Sequence, residues 1–275
     1  MTEARDRAIG VFDSGMGGLT VMRALMARLP EERFVYLGDT ARLPYGSKSP
    51  DTVTRYAVQC ARALMEHDIK LLVVACNTAS ATALPALEAV LKPTPVVGVI
   101  EPGAEAAVKA APRGRIAVLA TEGTVKGGAY LRAIHARNKG AQVAQIPCPL
   151  FVALAEEGLT EGEIPELVTK RYLGPLLAGA ERPDSIVLGC THFPALSRVI
   201  GRVAGEDIKL VDSAATTADA VERLLNERSL KREGAPVPPR FLATDAPERF
   251  ARVGEIFLGR KIAPDAVELV DLQRL

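Results

Sequence analysis

Four short apolar runs open the chain: AIGVF (8–12), RFVYL (33–37), KLLVVA (70–75) and PVVGV (95–99). Longer stretches separate them, with apolar residues recurring every three or four positions. Continuous apolar runs of this length suit strands buried on both faces, and helical segments between them predict a parallel sheet built from βαβ units. In DTVTRYAVQCARALMEH, the residues Val53, Ala57, Cys60, Ala61 and Leu64 share one helical face. Cys60 is therefore expected to pack as a small core hydrophobe.

A second series repeats the first: RIAVLA (115–120), QVAQI (142–146), SIVLGC (185–190) and IKLVD (208–212). Placing Ile9 on Ile116 gives an offset of 107, Val35 on Val143 gives 108, Cys76 on Cys190 gives 114, and Val99 on Val211 gives 112. Near-equal offsets point to two similar α/β halves, with the paired cysteines as their most informative correspondence. The expected fold is α/β, with two pseudo-symmetric parallel-sheet domains and an active site in the cleft between them. The segments GVIEPG (98–103) and VDSA (211–214) are the candidate crossings. The tail then holds a helical pattern, ADAVERLLNERSL, a Pro/Gly-rich loop, KREGAPVPPR, a strand-like RFLAT, a second helix, DAPERFARVGEIF, and a final VELVDL. It is expected to return to the first domain, giving domains of 1–98 plus 212–275 and of 99–211.

Composition narrows the function. A chain of 275 residues, 48% hydrophobic, can bury one or two substantial cores. Its 34 basic residues nearly balance 33 acidic ones, with no basic block and few aromatics, which argues against nucleic acid and for a small-molecule partner. Apolar stretches stop well short of the roughly 18 residues of a membrane span. The N-terminus lacks the apolar core of a signal peptide, so a cytoplasmic protein is expected. Four cysteines at 60, 76, 148 and 190 form neither a dense disulfide framework nor a CxxC pair, so any cysteine function is expected to be thiol chemistry. Cys148, between two prolines, reads as structural.

In a parallel α/β sheet, ligands collect beyond the carboxyl ends of the strands. The polar residues of this chain gather there: Asp13 and Ser14 after AIGVF, Cys76, Asn77 and Thr78 after LLVVA, Thr121 after IAVLA, and Cys190, Thr191 and His192 after IVLG. Hydroxyls, an amide and free helix N–H groups suit a carboxylate, and a helix N-terminus favours a thiolate. Alternatives stand beside each motif. VFDSGMGGLTV fits neither a dinucleotide nor a Walker loop, and Asp13 and Ser14 could simply cap the next helix. Pro44, Tyr45 and Gly46 form either a surface turn or a lid over a ligand. Cys76, Cys190 and His192 could hold zinc, or Cys190 and His192 could act as nucleophile and base, though that leaves Cys76 idle. Two facing thiols could instead remove a proton from one side of a tetrahedral carbon and return one to the other. A model thiol pKa of about 8.5 puts both protonation states within reach.

The motifs VFDSGMGGLTV, GDTARLPYG, VVACNTASA, VLATEGT, CPLFVALAEEG and VLGCTHFPA occur in this order over nearly the whole chain. Together they resemble the glutamate racemases of the aspartate/glutamate racemase family. That resemblance implies L- and D-glutamate as substrates and Cys76 and Cys190 as the opposed acid/base thiols. Asp13 would assist Cys76, while His192 with Glu156, which lies beside Glu157, would assist Cys190. It further implies that Asp13, Ser14, Pro44, Tyr45, Gly46, Asn77, Thr78, Thr121, Thr191 and His192 bind substrate. No pyridoxal phosphate, other cofactor or metal is implied. A homodimer and a role in supplying D-glutamate for peptidoglycan are. Only a few residues precede the first strand, so the activation by a cell-wall precursor seen in members with a long N-terminal extension is not expected here.

Overall fold

The computed structural model describes residues 3–179 and 181–272. In chain order its strands are β1 (Ala8–Asp13), β2 (Phe34–Gly38), β3 (Ile69–Val74), β4 (Val96–Gly98), β5 (Arg115–Ala120), β6 (Gln142–Pro147), β7 (Ser185–Gly189), β8 (Lys209–Asp212), β9 (Arg240–Ala243) and β10 (Val267–Leu269). The helices up to the second series are α1 (Leu19–Arg28), α2 (Pro50–Met65), α3 (Asn77–Thr82), α4 (Leu84–Leu91) and α5 (Ile100–Lys109). Those that follow are α6 (Glu122–Gly127), α7 (Ala129–Arg137), α8 (Pro149–Glu156), α9 (Glu163–Leu177), α10 (Ser197–Ala204), α11 (Ser213–Glu227) and α12 (Pro247–Leu258).

All pairings are parallel and make two sheets, one ordered β10-β9-β2-β1-β3-β4 and the other β6-β5-β7-β8. The repeat read from the offsets is thus a repeat of topology: the second, first, third and fourth strands of each series lie side by side in that order. The tail returns to the first sheet, adding β9 and β10 beyond β2.

Strand pleating sorts the cores. Ile9, Val11, Leu71 and Val73 face α1, α11 and α12, whereas Ala8, Phe12, Leu72 and Val74 face α2, α3 and α4. In the second sheet Ala117, Leu119, Ile186 and Leu188 meet α8, α9 and α10, while Ile116, Val118 and Val187 meet α5 and α7. The inner strands β1, β3 and β7 are buried along their whole length, which explains their unbroken apolar runs. Lys70, at the start of one run, is buried because its ammonium meets Glu32 at 2.6 Å and also donates to the carbonyls of Arg5 and Leu230.

α2 covers the predicted helical segment: Ser49 caps it by accepting from the Thr52 N–H, Pro50 follows the cap, and Cys60 is fully buried on its apolar face. At both candidate crossings the chain passes between the sheets through a helix. GVIEPG is no loop, because α5 begins at Ile100 and holds Pro102 and Gly103 in its first turn. A proline there loses no helical hydrogen bond. At VDSA, β8 runs into α11 with Asp212 as the cap, accepting from the Ala214 N–H.

Candidate active site

The segments that follow β1, β3, β5 and β7 at their carboxyl ends meet between the two sheets. On the first side, Asp13 ends β1 and is fully buried. Its Oδ2 accepts from the Gly15 and Gly18 N–H groups, both at 3.0 Å, while Oδ1 has no partner. The carboxylate therefore shapes the turn ahead of α1; the α1 cap itself is Gly18, with no side-chain hydrogen bond. Gly18 is required by close approach, since a Cβ there would lie 2.5 Å from the Asp13 Cβ. Burial raises Asp13 above its ordinary range, although His192 and the loop N–H groups oppose the shift.

Cys76 caps α3 and is nearly buried. Its sulfur accepts from the Ala79 N–H at 3.4 Å and lies 3.5 Å from Ser14 Oγ. Burial first, then the negative charge of Asp13, pushes the thiol up to about 12, against the help of Ser14 and the Ala79 N–H. A protonated Cys76 is the resting form at neutral pH.

Across the cleft Cys190 follows β7, with its sulfur 3.8 Å from His192 Nδ1. His192 Nε2 meets Glu156 Oε1 at 3.1 Å, and Glu156 Oε2 accepts from Arg249 at 2.8 Å. Burial works against the imidazolium, yet Cys190, Glu156 and Asp13 outweigh it and push His192 up to about 10. Glu156 is likewise opposed by burial but held down to about 2 by His192 and Arg249. The imidazolium beside Cys190 is placed to stabilise negative charge on that sulfur. Between Glu156 and Glu157, the structure brings Glu156 to His192.

Other contacts tie the two sides together. Thr78 on α3 shares a ring of hydroxyls with Thr121 and Thr124, at 3.0, 3.2 and 3.1 Å. Thr20 on α1 donates to the Thr191 carbonyl at 3.1 Å. Gly17 lies against His192 and Thr191 so closely that a Cβ would be 2.5 Å from His192 Nδ1 and from Thr191 Oγ1.

The Tyr45 side chain turns away from the other site residues into the core. Tyr45 is buried among Phe12 and Tyr56, and its hydroxyl donates to Asp39 at 2.5 Å. What its segment offers the site is main chain, which seats Gly46 against Thr121; Pro44 is exposed. Asn77 donates to the Tyr130 hydroxyl at 2.8 Å and keeps a buried Oδ1 without a partner. Cys148 is a core thiol that donates to the Ile146 carbonyl. Among the described residues no group of three or more His, Cys, Asp or Glu side chains is arranged for a metal ion, and no helix is long and apolar enough to cross a membrane.

Sequence reasoning missed Gly17, Thr20, Thr124, Arg249 and Phe257, whose ring stands edge-on to His192 at 5.0 Å. Local signals existed for Gly17, within the glycine-rich VFDSGMGGLTV, and for Thr124, three positions from the helix-capping Thr121.

Residues 9–221 match the family described as Asp/Glu/Hydantoin racemase. The chain belongs to that family. It is 51% identical over 257 residues to a glutamate racemase of Geobacter metallireducens, covering 93% of this chain and 94% of the other. It is 46% identical over 269 residues to one from Neisseria meningitidis serogroup A, covering 98% of each chain. Among solved structures, a Francisella tularensis glutamate racemase in complex with D-glutamate superposes with a TM-score of 0.91 at 37% identity, covering 98% of this chain and 100% of that one. The structural match spans both sheets.

Proposed function

We propose that this chain is a glutamate racemase, interconverting L- and D-glutamate through two thiols without a cofactor, in a cleft between domains 1–98 plus 212–275 and 99–211. The observation that carries the reading is the placement of Cys76 and Cys190 at equivalent strand ends of the twin sheets, each with its own charged partner. One sulfur, as thiolate, takes the α-proton and leaves a planar carbanion. The opposite thiol then gives its proton to the other face, so the configuration inverts and the two sulfurs exchange protonation states. The reverse reaction uses the same groups in swapped roles, which a near-symmetric cleft accommodates. Asp13 serves the Cys76 side, and His192 with Glu156 the Cys190 side.

The rest of the site suits an amino acid. Thr78, Thr121, Thr191, Ser14 and the Gly46 segment offer donors to carboxylates. Asp13 Oδ1 and Asn77 Oδ1 are buried acceptors without partners, matched to an ammonium group. D-Glutamate formed in this way would feed peptidoglycan assembly in the cytoplasm, and the chain would act as a homodimer.

The test is to incubate thiol-reduced, chelator-treated protein with L-glutamate in D₂O. Loss of the α-proton NMR signal together with decay of optical activity supports proton-transfer racemisation. Retention of both, while a known glutamate racemase works in the same buffer, refutes it.

A further inference from the structure

Helix α12 follows the second sheet in sequence but packs in the first core, where Phe250, Ala251, Val253 and Phe257 join Ile9 and Leu19. From that position it reaches back to the Cys190 side. Phe257 stands against His192, and Arg249, in the first turn of α12, holds Glu156 at the end of α8. Glu156 divides its carboxylate between two cations: Oε2 to Arg249 at 2.8 Å and Oε1 to His192 at 3.1 Å.

We propose that Arg249 is a positioning residue for the reaction, fixing Glu156 in the orientation that grips His192 beside Cys190. The relay is then complete only when the tail helix of the first sheet lies across the second. This inference rests on the racemase reading for its kinetics but not for its geometry.

An exposed ion pair usually contributes little, and Arg249 is 40% exposed. Here, though, the carboxylate is only 13% exposed. Without Arg249 its Oε2 would be a nearly buried acceptor with no donor, and rotation toward water would relieve that at the cost of the His192 contact. The groups facing His192 are Cys190 and Thr191 beside it, Glu156 from α8, Asp13 from β1 and the Phe257 ring from α12. Of these, only Glu156 takes its orientation from Arg249.

The experiment compares Arg249→Met, Arg249→Lys, Glu156→Gln and the double variant Arg249→Met with Glu156→Gln, all in the full chain. For Arg249→Met, kcat should fall roughly tenfold, as is typical when an outer partner is lost. KM should stay within about twofold, because Arg249 does not line the substrate groups. Arg249→Lys should recover most of the kcat, and the double variant should be no slower than Glu156→Gln alone. Without substrate, NMR titration of the His192 ring, assigned with His192→Gln, should show a lower midpoint in Arg249→Met, as the carboxylate leaves.

Unchanged kcat in Arg249→Met, losses that multiply in the double variant, or a His192 midpoint that stays or rises would each overturn the proposal. A rise would mean that Glu156 keeps its seat without the arginine. Should the wild type fail to racemise glutamate, the titration still decides whether the clamp exists.

Discussion

Gly17→Ala adds one methyl group where the two sides of the cleft touch. The added carbon would lie 2.5 Å from His192 Nδ1 and 2.5 Å from Thr191 Oγ1. Ordinary contact begins near 3.4 Å, so the shortfall is about 0.9 Å. The His192 ring has little room to yield, being held by Glu156 at 3.1 Å and by Phe257 at 5.0 Å. Gly17 is not among the glycines with positive φ, so alanine brings no backbone strain and the perturbation is purely one of contact. Either the ring moves away from Cys190 or the loop and its sheet move back. A displacement of about 1 Å in a catalytic group costs on the order of 100-fold in rate, and overpacking of this kind costs about 1–3 kcal/mol in stability. The assay is kcat for racemisation by circular dichroism, with urea unfolding alongside. Gly201→Ala is the control, since its added carbon meets only Leu210 at 3.5 Å, and it should retain wild-type kcat. If Gly17→Ala keeps more than about a tenth of the wild-type kcat, the contact is not a constraint on the reaction and the reasoning is wrong.

Three further outcomes are expected. Cys76→Ser and Cys190→Ser should each lower racemisation by about 10² to 10⁴-fold, the usual weight of a positioned acid or base, whereas Cys148→Ala retains it; activity in either of the first two sinks the two-thiol assignment. His192, at about 10 against an ordinary 6.5, contributes stability that is fully present below pH 6.5 and lost as pH rises through about 10. Glu156, at about 2 against an ordinary 4.5, contributes stability present above pH 4.5 and lost as pH falls through about 2. Urea unfolding should therefore show the gap between wild type and Glu156→Gln widest between those windows and closing on both sides; a gap independent of pH contradicts it. Lys70→Met strands Glu32 without its buried cation and should cost about 3–5 kcal/mol in urea unfolding, leaving kcat of the folded protein intact, and a loss under about 1 kcal/mol would refute the role given to the pair.

The parallel sheets and the strand-end positions of Cys76 and Cys190 were legible because their signals are local. A strand buried on both faces must be apolar throughout, and a residue just past its end sits at the cleft whatever the rest of the chain does. Cys190 and His192 are two positions apart and meet at 3.8 Å, and the matching order of the two strand series puts Cys76 at the equivalent strand end of the first sheet. The tertiary structure decided what depends on distant segments meeting. Arg249 finds Glu156 across 93 positions, and Thr20 finds Thr191 across 171. Tyr45 turns into the core because Asp39, itself buried, needs its hydroxyl along with Arg42 and Thr244. No spacing rule announces such contacts, because they are set by how two finished sheets and a returning tail pack, and packing answers to shape and unpaired charge over the whole molecule.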